Sequence, residues 1–241
     1  MISIDSLIYK LDMKLNKLSS LAHQSIPIEN KILALNEAQD KLVKVKLNAN
    51  NPLGLGLDAD KKRYEDIENL VEKAGDHKET LYLSDPLLNE WSTDLSLLQP
   101  QYMFYIDSYI TATKGACNKI IYVNRGLAKH ADVLTLLANT NYRPSFEYED
   151  TFCIVAGLQL SVYTDGTFTP QNVYLSYIRY PQRVDYPGYV NFDGTASTKI
   201  DCELNDYLED ELLNFAVQEL SMDTENVPAV QFTQERLKQS E

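Results

Sequence analysis

The chain has 241 residues, of which 44% are apolar, and this suffices for one large domain or two small domains with a real core. Its formal net charge of −13 argues against sequence-independent binding to nucleic acid, which needs a clustered basic surface. Lysines interrupt the N-terminal region and no apolar run approaches the roughly 18 residues that span a bilayer, so we expect neither a signal peptide nor a membrane partner.

Two amphipathic helices are predicted at the start of the chain. Apolar residues at helical spacing form one stripe over 4–22 and a second over 28–45. Pro27 closes the first helix and lies near the first turn of the second, for which Ser25 is a candidate cap. Because each helix must bury its stripe, the two predict an antiparallel helical hairpin.

A loop rich in helix-breaking residues follows over 48–57. Its glycines do not fit a phosphate-binding loop, because no strand precedes them and no Gly-Lys-Ser/Thr follows. A third helix is expected to begin at Asp58 or Asp60, to carry Val71 on its apolar stripe, and to end at Gly75.

The middle of the chain changes to the alternating pattern of strands. Residues 85–100 are rich in turn formers, and 126–139 carry a helical pattern. The pattern predicts an antiparallel β-sandwich with one helical insertion. The predicted strands cover 79–84, 101–113, 118–124, 145–149, 152–163 and 173–180.

The last regular element is an amphipathic helix over 204–220, and a polar tail follows it. The tail cannot bury enough surface alone to offset the entropy of ordering it. We therefore predict an α+β protein: an N-terminal helical bundle completed by a C-terminal helix, with an antiparallel β-sandwich-like middle. The expected domains are a helical bundle of 1–76 plus 204–225, a β domain of 77–203 with one helical insertion, and a C-terminal arm of 226–241.

The charge is uneven along the chain. From Ile200 onward the chain has eleven acidic residues and only two basic ones, Arg236 and Lys238. The first fifty residues have seven lysines and five acidic residues. The two ends could attract each other between subunits. The simpler interpretation is a solvated acidic helix face.

Residues that could support catalysis or metal binding are scattered. The three histidines have no second ligand at metal spacing, so we expect no metal and no cofactor. Glu147 and Asp150 could be drawn as a hydrolase pair, but any acidic chain offers as much, and we expect no enzyme. The odd, dispersed set Cys117, Cys153 and Cys202 predicts reduced thiols in a core.

The sixteen tyrosines cluster in the predicted strands. They suit strand packing or the anchoring of an interface. A carbohydrate-binding β-sandwich module that uses tyrosines and Trp91 is the alternative.

The last third of the chain resembles a known family. A strand ends in Tyr177-Ile178-Arg179-Tyr180-Pro181, and Asp201-Cys202-Glu203-Leu204 leads into a helix with Leu212-Leu213-Asn214-Phe215-Ala216-Val217. With the N-terminal helical hairpin, this order resembles the head-to-tail adaptor (connector or ring) proteins of short-tailed bacteriophages, especially those of crAss-like phages. The likeness is strongest over 152–223.

The resemblance implies a virion structural protein at the portal–tail junction, made in the cytoplasm of a host bacterium. Copies would form a ring, commonly of twelve, between the portal protein and further tail ring or tail-tube proteins. The ring would help retain packaged DNA, which would pass nearby without specific binding. In similar proteins the C-terminal segment docks on the portal, so the interface candidates in the tail are Val230, Phe232, Arg236 and Leu237. The Pro-broken segment after the last strand adds Tyr180, Arg183, Tyr186 and Tyr189. Another tail ring or a tail-terminator layer is an alternative that the sequence does not separate.

Overall fold

A computed structural model describes residues 1–18, 26–47, 65–123, 127–190 and 194–223, and the chain divides into two compact units. Met1–Asn69 with Pro181–Glu241 form one, the helical unit, and Leu70–Tyr180 form the other, the β unit. The α+β class is as predicted. In this division 181–203 belong to the helical unit and 70–76 to the β unit, whereas the sequence suggested the reverse for both segments.

The described helices and strands in chain order are α1 (Ile4–Leu18), α2 (Ile28–Leu47), β1 (Val71–Glu72), β2 (Lys78–Thr80), β3 (Tyr82–Asp85), β4 (Glu90–Asp94), β5 (Tyr102–Lys114), β6 (Cys117–Tyr122), α3 (Val133–Ala138), β7 (Cys153–Ala156), β8 (Gln159–Tyr163), β9 (Thr169–Arg179) and α4 (Glu209–Asp223). Short 3-10 helices lie at Glu68–Leu70, Leu95–Leu97, His130–Asp132 and Asp206–Leu208.

Helix α4 is the centre of the helical unit. It packs against both α1 and α2, and every residue from Leu212 to Gln218 is buried. A helix buried on all sides lies inside a bundle rather than on its surface. The predicted one-sided burial is therefore wrong over 212–218, although the position of the helix is right and its first turn keeps the exposed Asp210.

Ion pairs between these helices show their relative directions. Residue numbers rise together along α1 and α4 and run oppositely along α2 and α4, so α4 is parallel to α1 and antiparallel to α2. The N-terminal helices are thus antiparallel to each other, as predicted for a helical hairpin. The pairs are Lys10–Glu209, Lys14–Asp210, Lys41–Glu219 and Lys46–Glu211.

The third predicted helix ends earlier than expected. Its first part, up to residue 64, lies outside the described residues, and the loop over 48–57 does so too. The helical backbone stops at Leu70, and Val71 begins strand β1. Val71 and Glu72 pair with Ile178 and Tyr177 of β9, and this sheet pairing overrides the helical spacing.

The β unit contains two antiparallel sheets. In the first sheet, β9 pairs with β5 on one side and with β1 and β2 on the other, and β5 also pairs with β6. The second sheet has the order β3-β4-β8-β7. Buried residues of both sheets form one core, as expected for a sandwich. This core includes Ile110, Ile121, Cys153, Leu160, Val162, Val173, Leu175 and Tyr177.

The second sheet is also covered on its other face. Successive residues of β7 and β8 enter different cores: Cys153 and Val162 face the sandwich, while Ile154 and Tyr163 pack with Val133 at the start of α3. The predicted helical insertion therefore exists and closes this face. Because both faces are covered, β7 (Cys153–Ala156) reads as an apolar run without alternation, whereas β8 still alternates Gln159, Leu160, Ser161 and Val162.

Three strand predictions need correction. Residues 152–163 form a hairpin and not one strand, because Gly157 turns the chain at φ 63° in the manner of a II′ turn. Residues 145–149 form a turn closed by a bridge between Ser145 and Asp150. Strand β4 lies inside the stretch 85–100, which was described as rich in turn formers and was assigned no strand.

Candidate functional site

The predicted interface residues fall into two groups. Val230, Phe232, Arg236 and Leu237 lie outside the described residues, as does the predicted arm over 226–241. Tyr180 ends the β unit, where its N–H donates to the carbonyl of Gln101. Arg183, Tyr186 and Tyr189 lie in the segment 181–203 of the helical unit.

The segment 181–203 is fixed to α2 by a buried amide. The Asn36 side chain accepts from Val184 N–H at 2.9 Å and donates to the Val184 carbonyl at 3.1 Å. It thus satisfies both backbone groups of Val184, as a neighbouring strand would. Gln39 donates to Asn36 and accepts from the Cys202 thiol at 3.3 Å. Both ends of the segment are therefore bound to the same helix.

Asp185 closes the segment into a hairpin. This side chain is buried, and its carboxylate accepts from Tyr186 N–H, from the Tyr189 hydroxyl at 2.6 Å, and from Thr198 N–H at 2.8 Å. Charge-assisted bonds of this kind are about twice as strong as neutral ones. Bridges join Asp185 to Ile200 and Val190 to Ala196, and we call the described residues 185–190 and 194–200 the hairpin 185–200. Aspartate before a Pro-Gly turn is the sequence signal for this role.

The two tyrosines of the hairpin are partly buried and contribute to its internal contacts. Burial and the Asp185 carboxylate raise the pKa of Tyr189, so its hydroxyl stays a donor to that carboxylate. Tyr186 and Tyr189 are both half-buried, whereas Val190 is 67% exposed. Arg183 pairs with Asp40 at 3.1 Å. Among the described residues of the hairpin, Val190 is thus the large apolar side chain that is exposed, and the sequence analysis did not single it out.

The base of the hairpin also engages the start of α1. Ile2 and Cys202 exchange both backbone hydrogen bonds, and the Asp201 carboxylate accepts from Ile4 N–H at 2.9 Å. A carboxylate at a helix N-terminus satisfies an otherwise unbonded donor and complements the helix dipole. Lys199 pairs with Asp5. Both strands of the hairpin therefore rest on defined partners within the helical unit.

The opposite charges of the two chain ends meet within this unit. The four ion pairs that join α4 to α1 and α2 neutralise its acidic side. They use lysines that, in one of the two interpretations of the sequence, could attract another subunit. Lys46 is also buried, with its ammonium 3.0 Å from Asp66 and 2.8 Å from Glu211. The oppositely charged residues at the two ends of the sequence thus form ion pairs between helices of the same chain.

Of the two residues of the hydrolase alternative, Glu147 is exposed on the β unit and Asp150 is half-buried. Glu147 accepts a hydrogen bond from Lys114 at 2.8 Å, and this bond lowers the pKa of the carboxyl group. A general acid needs the opposite shift. Within the described ranges, no group of three or more histidine, cysteine or acidic side chains is arranged to hold a metal ion.

A groove of about 630 Å³ lies in the β unit. Its lining combines the acidic residues Glu79 and Asp94 with the exposed apolar side chains of Tyr82, Leu97 and Leu158. The Asp94 carboxylate is engaged by Ser96 N–H at 2.8 Å as a helix cap. Of the two acidic residues in the lining, Glu79 is therefore the one that does not act as a helix cap.

Comparison with known proteins adds no relative. No known protein family matches the chain, and no curated protein sequence matches it. In the part of the chain that the structure describes, no helix is long and apolar enough to cross a membrane.

Proposed function

We propose that this chain is a structural subunit of a tailed-phage virion, a head-to-tail adaptor that joins the portal to the tail. The observation that carries the proposal is the hairpin 185–200. Two of the three segments that resemble the adaptor family, 177–181 and 201–204, lie on either side of it in the sequence. Buried partners hold its base, and Val190 is presented to solvent.

The residues that carry the resemblance support the fold rather than a binding surface. Tyr177, Ile178, Cys202 and Ala216 are all fully buried. A shared pattern at such positions preserves packing. The contact surface of the proposed adaptor must therefore come from exposed elements near these segments, and the hairpin 185–200 is one of them.

A hairpin held in this way suits a permanent junction. Ordering a loop on binding reduces affinity, so a loop that is already ordered contributes more to the complex. The Asp185 carboxylate and the Ser197 hydroxyl, which accepts from Gly188 and Tyr189 N–H at 3.0 Å, supply that order. The tail over 226–241 would add a second docking element.

The overall charge fits a channel through which DNA passes. A net charge of −13 repels phosphate, and a ring that must let DNA move benefits from not gripping it. Another tail ring or a tail-terminator layer would share this property, so the portal protein is the partner that separates the alternatives. The carbohydrate alternative has less support, because Trp91 packs against the sandwich core.

The test is binding to portal rings, measured by pull-down and negative-stain microscopy. The samples are the full chain, a chain that ends at Asn226, Val190→Asp, and the double variant Phe232→Ala with Leu237→Ala. Tyr148→Ala, which changes an exposed tyrosine of the β unit, is the matched control. We expect ring-on-ring complexes for the full chain and the control.

The variants then locate the contact. Loss of complexes with the truncation and the double variant would assign docking to the tail, and loss with Val190→Asp would assign it to the hairpin. No binding by the full chain would contradict the portal role and favour a more distal tail layer.

A further inference from the structure

The outer face of the first sheet carries a row of tyrosines. Tyr109 of β5 lies opposite Tyr174 of β9 and Tyr122 of β6. The rings of Tyr109 and Tyr174 are stacked, with centroids 4.8 Å apart and planes at 9°. The alternate residues of the same strands, such as Ile110, face the sandwich core.

The next row on this face is uncharged as well. It consists of Asn172, Thr111 and Ile120, in which the Asn172 amide donates to the Thr111 hydroxyl at 3.3 Å. Ile120 and Tyr122 are 45% and 50% exposed. We call these two rows the tyrosine face, defined by Tyr109, Thr111, Ile120, Tyr122, Asn172 and Tyr174.

Charge makes this face unusual in the molecule. Copies of a chain with net charge −13 repel each other across most of their surface. The tyrosine face has no charged side chain, and a composition rich in tyrosine and poor in acids is that of an interface core. Among the described residues, three charged side chains border it: Lys78 lies opposite Tyr174, Asp107 lies opposite Ser176, and Asp150 is bridged to Tyr122.

We propose that the tyrosine face binds the same face of a second copy of this chain. With strands about 4.8 Å apart and residues about 3.3 Å apart, a two-fold axis in the plane of contact can pass between Tyr109 and Tyr174. That axis places Lys78 of each copy over Asp107 of the other, so the interface has two equivalent Lys–Asp contacts. Contact of a patch with itself is the normal form of a two-fold interface.

The ring geometry favours a protein partner over a sugar. Tyr109 and Tyr174 turn their faces toward each other, so they offer hydroxyls and ring edges outward. A sugar stacks on an open ring face, whereas hydroxyls and edges beside Ile120 suit a second protein surface.

The size of the face sets the expected affinity. With its bordering Lys78 and Asp107, the face spans four strands by the five residues from Asp107 to Thr111, which is about 20 × 17 Å or roughly 300 Å² per copy. A standard stable interface buries about 800 Å² per partner. Pairing should therefore be reversible, with a dissociation constant in the micromolar range. This inference concerns the chain by itself and does not rest on the adaptor proposal.

The first test is sedimentation equilibrium of the full chain from about 1 to about 300 µM, a range that brackets micromolar affinity. We expect the mass to rise toward two chains. Ile120→Asp places like charges near the axis and should weaken pairing at least tenfold. Tyr148→Asp, at a tyrosine that is 86% exposed elsewhere on the β unit, should pair like the unchanged chain. A constant single-chain mass, or equal pairing by Ile120→Asp, overturns the proposal.

A charge exchange tests the arrangement itself. Lys78→Asp should weaken pairing, because it faces Asp107 of the second copy, and adding Asp107→Lys should restore it. Failure of the double variant to recover overturns the two-fold arrangement. Portal binding is a separate readout, so loss of self-pairing with intact portal complexes would leave the adaptor proposal standing.

Discussion

At the scale of single residues, Lys46 is a buried charged side chain of the helical unit. Its side chain is 5% exposed and faces Asp66, which is 1% exposed, and Glu211. Burial acts to lower the pKa of Lys46, but hydrogen bonds and attraction from Glu211 and Asp66 outweigh it and raise that pKa. The stabilisation is present below the unfolded pKa and is lost only as pH rises through the folded one. Lys46 is therefore a cation at neutral pH.

Replacing Lys46 by methionine should be strongly destabilising. Lys46→Met leaves the buried Asp66 carboxylate and the partly buried Glu211 carboxylate without their cation, and breaking a buried pair costs about 3–5 kcal/mol of unfolding free energy. Urea denaturation followed by circular dichroism measures this loss. Lys199→Met, which removes an exposed pair with Asp5, should cost less than about 1 kcal/mol. Equal effects of the two substitutions would contradict the assigned role of the buried pair.

The thiol of Cys153 should make stability depend on alkaline pH. Cys153 is buried between the sheets, 3.5 Å from the Tyr105 hydroxyl, and burial raises the pKa of the thiol to about 11. An unfolded thiol has a pKa of about 8.5. The raised folded value means that stability is complete below about pH 8.5 and falls as pH rises toward 11.

The expected loss from this thiol is about 2 kcal/mol of unfolding free energy between about pH 8 and about pH 10. Denaturation curves of Cys153→Ala at the two pH values should show a correspondingly smaller loss. Cys117→Ala, at an exposed thiol, should keep the full loss. Because Cys117 is exposed, the prediction that all three cysteine thiols lie in a core is wrong for this residue. A Cys153→Ala chain with an unchanged pH dependence would contradict this account.

At the scale of elements, the hairpin 185–200 depends on one carboxylate. Asp185→Ala removes three charge-assisted hydrogen bonds, and each such bond contributes about 1.5–3 kcal/mol. Amide exchange at Tyr186 and Thr198 should accelerate about 10- to 100-fold, since 1.4 kcal/mol corresponds to a factor of ten. Hydrogen exchange resolved by NMR measures this.

A matched aspartate provides the control for that prediction. Asp165 accepts from Thr167 N–H at 2.8 Å in the turn between β8 and β9. Asp165→Ala should accelerate exchange at Thr167 and leave Thr198 unchanged. If Asp185→Ala left Thr198 protected, the hairpin would be held by its backbone bridges and not by the carboxylate.

Periodicity predicted elements well where one face is buried and poorly elsewhere. Helices α1 and α2 and strands β5, β6 and β9 lie close to the predicted ranges, because each shows a clear apolar stripe or alternation. Helix α4 and the hairpin of β7 and β8 are covered on more than one side, so their apolar runs hide the period. The continuous run from Leu212 to Val217 was the signal for the central position of α4.

The interface candidates show a similar limit. Sequence composition pointed to Tyr186 and Tyr189, but the hairpin 185–200 is held by Asp185, which binds Thr198 within it, and by Asn36, which is 148 residues from its partner Val184. The tyrosine face depends on strand register, which joins Tyr109, Tyr122 and Tyr174 across three strands. Register arises from tertiary pairing and cannot be read from residue spacing within one strand.

At the scale of the whole molecule, the chain passes between its units near Leu70 and again near Tyr180. Each unit has its own buried core: α4 centres one, and the sandwich residues around Leu160 form the other. Segment 181–203 joins the helical unit because Asn36 and Ile2 bind its backbone. Contiguity with strand β9 had suggested the β domain instead.

Two separate cores predict two unfolding transitions in calorimetry. Lys46→Met should lower the melting temperature of one transition only, since the ion pairs of Lys46 lie in the helical unit. Leu160→Ala removes a fully buried side chain of the sandwich core and should cost about 2–5 kcal/mol. For a unit of this size that loss lowers the other melting temperature by about 10 °C or more. A single transition shifted by both substitutions would mean that the units unfold as one cooperative body, and stability would then have to be assigned to the whole chain.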